Sequence, residues 1–315
     1  MPLFDTHVHY NLDPLFADWQ AHYTAAKQHG VIKSMVVGAG MRSSLKAIQL
    51  AKAAEGLFAA IGKHPDVYRE AIKIKLQNNE AWQTVFADLE ADIKAFQKLI
   101  DENREVVKAI GEVGLDYYKL PQNGDKREWM IEIQKKAFAA YLELAFQNSL
   151  PVIVHVRDKI KDEGFSPETD RPLAERNKDG EAYWDALEII SNFKRQHSNF
   201  KFVLHCISGP SDYVKQALEL GAYIGVDGNI TYLEDRGQGL GGRKQLTNEI
   251  IELARLVPAE RLLLETDAPY LAPEPFIGQI CEPWMISKTA EFVEAELKIS
   301  QEQLFKNAVE FFRVS

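Results

Sequence analysis

His7 and His9 in "FDTHVH" are the first residues of this chain whose types and spacing could do chemistry. In a β-strand, residues i and i+2 point to the same face, so both imidazoles can reach one ion. Asp5 lies one step back on that face. Two histidines near a strand end can equally be satisfied by ordinary hydrogen bonds, so partners elsewhere must decide.

Such partners are present. His64 stands in "GKHPD", Glu112 and Asp116 in "GEVGLD", and His155 and Arg157 in "VHVRD". His205 follows in "LHCISG", and Glu265 and Asp267 in "LETDAPY". Of the eight histidines, five (His7, His9, His64, His155 and His205) fall at the C-terminal ends of apolar runs. Imidazoles and carboxylates converging from several strands suit one or two divalent cations. Glu112 is the natural bridging ligand, because one carboxylate can hold two ions about 3.5–4 Å apart. Without cations, a lone buried glutamate would be costly. His64, beside Pro65, is expected to cap a turn or touch substrate. Glu265 either faces away from Asp267's site or holds a supporting bond to a ligand. Asp5 is expected to orient a histidine ligand or pair within the mouth. Cys206 is turned by strand alternation to the opposite face and reads as core, while His22, His29 and His197 read as surface residues.

Positioning these groups requires strands that end at one face. The runs "LFDTHV", "KSMVVGA", "LFAAIGK", "VVKAIGEV", "PVIVHV", "KFVLHC", "AYIGVD" and "RLLLETD" are continuously apolar rather than alternating. That pattern marks strands buried on both sides, as in a parallel sheet. Helical stripes separate them, for example Met130, Ile133, Ala137, Phe138, Tyr141 and Leu142. Trp82 to Ile100 keeps helical spacing and predicts an extended outer helix. Eight such units imply an α/β fold, a (β/α)8 TIM barrel forming a single domain over 1–315, with active-site residues at the strand C-termini. The alternative, a doubly wound open sheet, lacks its Gly-x-Gly-x-x-Gly turn after the first strand. A charged stretch at 158–182 reads as a long loop insertion after the fifth strand, either a substrate lid or a solvated insertion. The glycines of "EDRGQGLGGRKQ" resemble a phosphate cradle only weakly, since no Gly-Lys-Ser/Thr follows.

Composition sets outer limits. With 315 residues, 46% hydrophobic and 26% charged, the chain has a globular composition. Its formal net charge of −9 argues against broad adhesion to nucleic acid or anionic membrane. A nucleic-acid end can still enter a small site where cations dominate the local field. Cys206 and Cys281 give no disulfide framework, no apolar run approaches the roughly 20 residues that span a bilayer, and no cleaved signal peptide is expected, since cleavage there would destroy "FDTHVH". A cytoplasmic protein without membrane partners is expected, of unspecified oligomeric state.

Taken in order, "FDTHVH", "GKHP", "GEVGLDY", "PVIVHVRD", "HCISG" and "ETDAPYLAP" resemble the signature blocks of the TatD family of metal-dependent deoxyribonucleases. The blocks run from residue 4 to about residue 273, and "KNAVEFF" is similar to the family's last helix. The resemblance implies a TIM barrel of the amidohydrolase type. It implies His7 and His9 with Asp267 on one metal, His155 and His205 on the other, and Glu112 bridging. Two divalent ions (Mg²⁺, Mn²⁺ or Zn²⁺) are then the cofactors. The imidazoles favour Zn²⁺ or Mn²⁺ on ligand softness, whereas the resemblance points to Mg²⁺.

On this reading the substrate is a DNA end, hydrolysed in the manner of a 3'-5' exonuclease. Metal-activated water attacks the phosphorus and Asp267 acts as general base. Arg157, with Lys63 as a weaker candidate, would hold a nonbridging or neighbouring phosphate oxygen. Two departures stand out. The family's basic Arg-Gly-Lys-Arg-Asn-Glu-Pro segment is replaced here by "EPFIGQICEPWM", which keeps only Glu282-Pro283, and the insertion after Arg157 is longer than usual. An amidohydrolase-like enzyme for a lactone, cyclic amide or small phosphoester is the alternative. Many such enzymes carry a carbamylated lysine where Glu112 stands, and Lys108 lies at the strand's other end. A noncatalytic barrel scaffold is the third reading.

Overall fold

Val-, Ile- and Ala-rich runs form eight parallel strands, hydrogen-bonded in the order β1 to β8. They are β1 (Leu3–Val8), β2 (Val31–Val37), β3 (Leu57–Ile61), β4 (Val107–Asp116), β5 (Val152–Arg157), β6 (Phe202–Leu204), β7 (Tyr223–Val226) and β8 (Leu262–Leu264). A parallel bridge between Val8 and Ala268 joins β1 to the segment after β8 and closes the barrel. The computed structural model describes residues 1–78, 81–121, 123–158, 180–232 and 249–314. Residues 159–179 of the expected insertion and the glycine-rich stretch 234–245 therefore lie outside the described residues.

Helices follow the strands and cover the sheet's outer face. These are α1 (Trp19–Gln28), α2 (Met41–Ala53), α3 (Pro65–Gln77), α4 (Thr84–Glu102), α5 (Asp125–Gln147), α6 (Glu181–Gln196), α7 (Ser211–Glu219), α8 (249–255), α9 (Ile286–Leu297) and α10 (Gln301–Phe312). The Trp82–Ile100 periodicity is realised as α4, an added helix beyond the one-per-strand minimum. Among the described residues, no helix is long and apolar enough to cross a membrane.

Two apolar clusters divide the interior. The larger lies between sheet and helices. The second fills the barrel below the mouth with Phe4, Met35, Val37, Ala60, Ala109, Ile153, Val203 and Leu263. Phe311 and Phe312 of α10 close it, the latter ring lying 5.8 Å from that of Phe4. A packed plug of this kind leaves the C-terminal mouth as the end where polar strand termini can gather.

Candidate metal centre

Register on β1 is interrupted between Asp5 and Val8. Asp5 leaves the mouth and accepts from the backbone N–H groups of His7 (3.3 Å) and Thr266 (3.0 Å) and from the Thr266 hydroxyl (2.7 Å). It thus braces the backbone that carries His7 against the segment leading to Asp267, and supports the histidine through main chain rather than through the ring. Burial pushes the Asp5 carboxyl up to about 8 despite those three donors.

The imidazoles are oriented from behind. His9 Nδ1 lies 2.9 Å from the Val37 carbonyl oxygen, which requires the proton on Nδ1 and leaves the Nε2 lone pair facing Asp267 Oδ1 at 3.3 Å. His205 Nδ1 donates to Glu265 Oε1 at 3.2 Å, and its Nε2 faces Glu112 Oε1 at 3.3 Å. His155 is turned the other way: Nε2 meets Asp116 Oδ2 at 3.4 Å, and Nδ1 sits 2.7 Å from Glu112 Oε1. His7 Nε2 lies 3.3 Å from His9 Nε2 and 3.7 Å from both Glu112 Oε2 and Asp267 Oδ1. Its Nδ1 is a buried atom without a hydrogen-bond partner among the described residues.

The inner nitrogens and the carboxylate oxygens therefore meet as acceptors facing acceptors. Only protons or cations between them can satisfy such an array. Glu112 spans it, with Oε2 toward His7 and Oε1 toward His155, His205 and His64. His7, His9 and Asp267 form one compact donor group, and His64, Glu112 and His155 form another. The donor set fits divalent cations.

Electrostatics follow the same geometry. Burial opposes charge on each group, and the neighbours decide the outcome. Glu265 and Glu112 overcome burial and hold His205 well above the ordinary histidine value. Glu112 and Asp116 raise His155, and Asp267 raises His9. Burial and the adjacent His205 push His7 far down instead. Against burial, His155, His205 and His64 hold Glu112 well below the usual carboxylate range.

His64 is gathered into the cluster but has a different character. Its Nδ1 accepts the Asp66 N–H at 3.1 Å and so caps α3, whose first residue is Pro65. With that lone pair used, the proton sits on Nε2, 3.9 Å from Glu112 Oε1. Burial and His155 push His64 down to about 4, so it is a neutral hydrogen-bond donor. Arg157 is held by Asp116 through Nε (2.9 Å) and Nη2 (2.5 Å). Lys63 departs from the expectation: its ammonium pairs with Asp92 of α4 and lies 4.8 Å from the Tyr68 ring centroid. The added helix supplies that acid and draws Lys63 to the outer layer.

Asp267 adopts a left-handed conformation (φ 54°), with its N–H on the His7 carbonyl at 2.9 Å. This kink aims it into the mouth while Glu265 points beneath, onto His205. Cys206 also differs from the expectation. β6 ends at Leu204, alternation no longer applies, and the thiol takes a hydrogen bond from Asn229 at 3.6 Å. His22 is half-buried and bonds Glu282 at 2.6 Å, anchoring the Glu-Pro remnant to α1. Spacing alone gave no role to Asp116. The β4–β5 pairing, with Asp116 opposite Arg157, reveals one.

A sequence profile of the family described as TatD-related DNase matches residues 4–313. The chain is 27% identical over 321 residues to an uncharacterized metal-dependent hydrolase, YabD, of Bacillus subtilis, spanning 99% of this chain and all of that one. Over 274 residues it is 30% identical to the 3'-5' ssDNA/RNA exonuclease TatD of Klebsiella pneumoniae, covering 86% of this chain and 80% of the other. The crystal structure of YjjV, a TatD homologue from Escherichia coli, superposes with a TM-score of 0.71 at 23% identity, over 99% and 98% of the two chains. With profile, full-length relatives and barrel in agreement, this chain belongs to the TatD-related DNase family of metal-dependent hydrolases.

Proposed function

We propose that the chain is a phosphodiesterase that trims nucleic-acid ends, in the 3'-5' direction named for the Klebsiella relative. Asp267 carries this reading: its side chain is 16% exposed, against 6% for Glu112, so it is the more open of the two cluster carboxylates. Its Oδ1 lies within 3.3 Å of His9 Nε2 and 3.7 Å of His7 Nε2. There it orients an attacking water and accepts its proton. His7, His9, Asp267, His155 and His205 would hold two divalent ions of the Mg²⁺, Mn²⁺ or Zn²⁺ class, with Glu112 between them. Such ions, when bound, acidify water and neutralise charge on phosphoryl oxygens. His64 donates its Nε2–H toward a substrate oxygen, which suits a neutral imidazole at the rim. Arg157, fixed by Asp116 yet 44% exposed, offers a cation for a nonbridging or neighbouring phosphate oxygen.

A second reading, hydrolysis of a lactone, cyclic amide or small phosphoester, has one observation in its favour. Residues 268–287 on the β8 side of the mouth contain no lysine or arginine, and Ile280 is exposed there. The β4 residues argue the other way: Glu112 stands among His7, His155 and His205, whereas the ammonium of Lys108 reaches back to the Arg104 carbonyl.

The test is hydrolysis by metal-reconstituted protein of end-labelled single- and double-stranded DNA, RNA, lactones and small esters, with Asp267→Asn as control. Shortening of nucleic-acid ends that the variant abolishes is expected. Turnover of lactones with no cleavage of nucleic acid would overturn the proposal in favour of the second reading.

A further inference from the structure

Two tyrosines stand exposed at opposite sides of the mouth. Tyr270 is 54% exposed and Tyr118 is 48% exposed, both high for rings of this size. Tyr118 follows β4 and Tyr270 follows β8. In a closed eight-stranded barrel these strands are diametrically opposed, so the rings flank the Glu112–Asp267 cluster rather than sharing one rim.

Neither ring is loose. Tyr270 N–H donates to the Asp267 carbonyl at 2.8 Å, and its ring stands edge-on to His9, with centroids 6.4 Å apart and planes at 71°. It is therefore fixed beside the residue that aims the proposed base. Across the mouth, the Arg157 guanidinium lies 5.1 Å from the Tyr118 ring centroid while Asp116 holds its other edge. The Tyr118 backbone N–H is tied to Asp116 Oδ1 at 3.0 Å. Each side thus presents a rigid flat group one residue layer from the cluster. On the β8 side the absence of basic residues from 268 to 287 leaves the ring, not a cation, as the means of holding a nucleotide.

We infer that Tyr270 and the Arg157–Tyr118 pair are stacking platforms for the two nucleobases that flank the scissile phosphate. This rests on the nucleic-acid reading of the site and deepens it. Every base has a π-face, so stacking holds a strand without reading sequence. Guanidinium over tyrosine provides the same flat surface with a charge attached. Stacking at both sides requires the terminal bases to be unpaired and splayed, which selects single strands or frayed ends over a closed duplex.

The experiment uses a short single-stranded DNA carrying 2-aminopurine at either of its two 3'-terminal positions, mixed with protein without added metal. Stacking should quench the fluorophore on binding to the wild type and to Tyr270→Phe. Tyr270→Ala should lose that quenching and weaken binding by roughly tenfold or more. Tyr118→Ala should do the same for the other position. With metal added, the ratio of kcat/KM for base-bearing ends over ends made abasic at the position that ring stacks should fall by a similar factor in the corresponding alanine variant and stay near wild type in Tyr270→Phe. No quenching by the wild type, or an equal loss on base-bearing and abasic ends, would overturn the inference and make the rings structural. Quenching that depends on the rings, together with no nucleic-acid hydrolysis, would sustain the platforms and sink the nuclease reading instead.

Discussion

Replacing Glu265 tests whether the metal centre is tuned from beneath. Its side chain is 2% exposed, and Oε1 accepts from His205 Nδ1 at 3.2 Å and from the Cys206 N–H at 2.5 Å. In Glu265→Gln the carbonyl oxygen can still accept both bonds, so the fold survives. What disappears is the negative charge that raises the basicity of His205. Loss of such support weakens metal binding about 10–100-fold, which is roughly 1.4–2.7 kcal/mol. Glu265→Ala goes further and strands two buried donors, at about 1–3 kcal/mol each in stability. Gly225 of β7 allows an independent perturbation. A Cβ at that position would collide with the Glu265 carboxylate, so Gly225→Ala should displace it with no titratable group changed. Isothermal titration calorimetry with Mn²⁺ or Zn²⁺, alongside thermal melts of each variant, reads both effects. Wild-type metal affinity in a folded Glu265→Gln, or a Gly225→Ala that melts earlier yet binds metal normally, would refute the coupling through His205.

Three further outcomes follow from the same geometry. Carboxylates raise His9, His155 and His205, so without metal these rings retain protons that an incoming ion must displace; affinity should rise with pH, and calorimetry in buffers of different ionisation enthalpy should detect proton release. Binding confined to one pH-independent constant would contradict it. Asp116→Asn frees both Arg157 and the back of His155, and should lower metal affinity about tenfold while raising KM for a nucleic-acid end, measured by calorimetry and initial rates. Lys63→Ala, whose ammonium already belongs to Asp92, should change KM by less than about twofold and stability by about 1 kcal/mol or less, whereas Arg157→Ala should raise KM strongly. Equal effects of the two substitutions in steady-state kinetics would put Lys63 back at the substrate.

The barrel was legible because strands buried on both faces must be continuously apolar, and a polar residue ending such a run has one place to go. "LFDTHV" illustrates this: the run forms β1 over the same residues, Leu3–Val8. The cluster was legible for the same reason, since five histidines ending apolar runs can meet only at one mouth. Spacing failed where a partner came from another strand or where a strand ended early. Asp5, on the same nominal face as His7, is diverted by the irregular register of β1 onto Thr266. Glu265 and Asp267 are likewise two apart, but β8 stops at Leu264 and the left-handed Asp267 splits them between the underside and the mouth. Lys63 adjoins His64, yet a helix not implied by the barrel pattern takes its charge.

Residues that gather at the mouth are thus written in the sequence by type and position, while those that orient them are set by strand pairing. Asp116 shows the consequence. It lies opposite Arg157 across the β4–β5 pair, and one of its oxygens serves both that guanidinium and the back of His155. A single carboxylate therefore ties the geometry of the proposed metal site to the cation offered to substrate. When Arg157 swings toward a phosphate, the shared Asp116 oxygen loses its cationic partner and is left to His155, so its hold on that ring strengthens. Substrate binding and the basicity of the His155 imidazole are coupled through that one oxygen, and removing it should weaken the link: in Asp116→Asn, the difference between metal affinity with and without nucleic acid should shrink relative to the wild type.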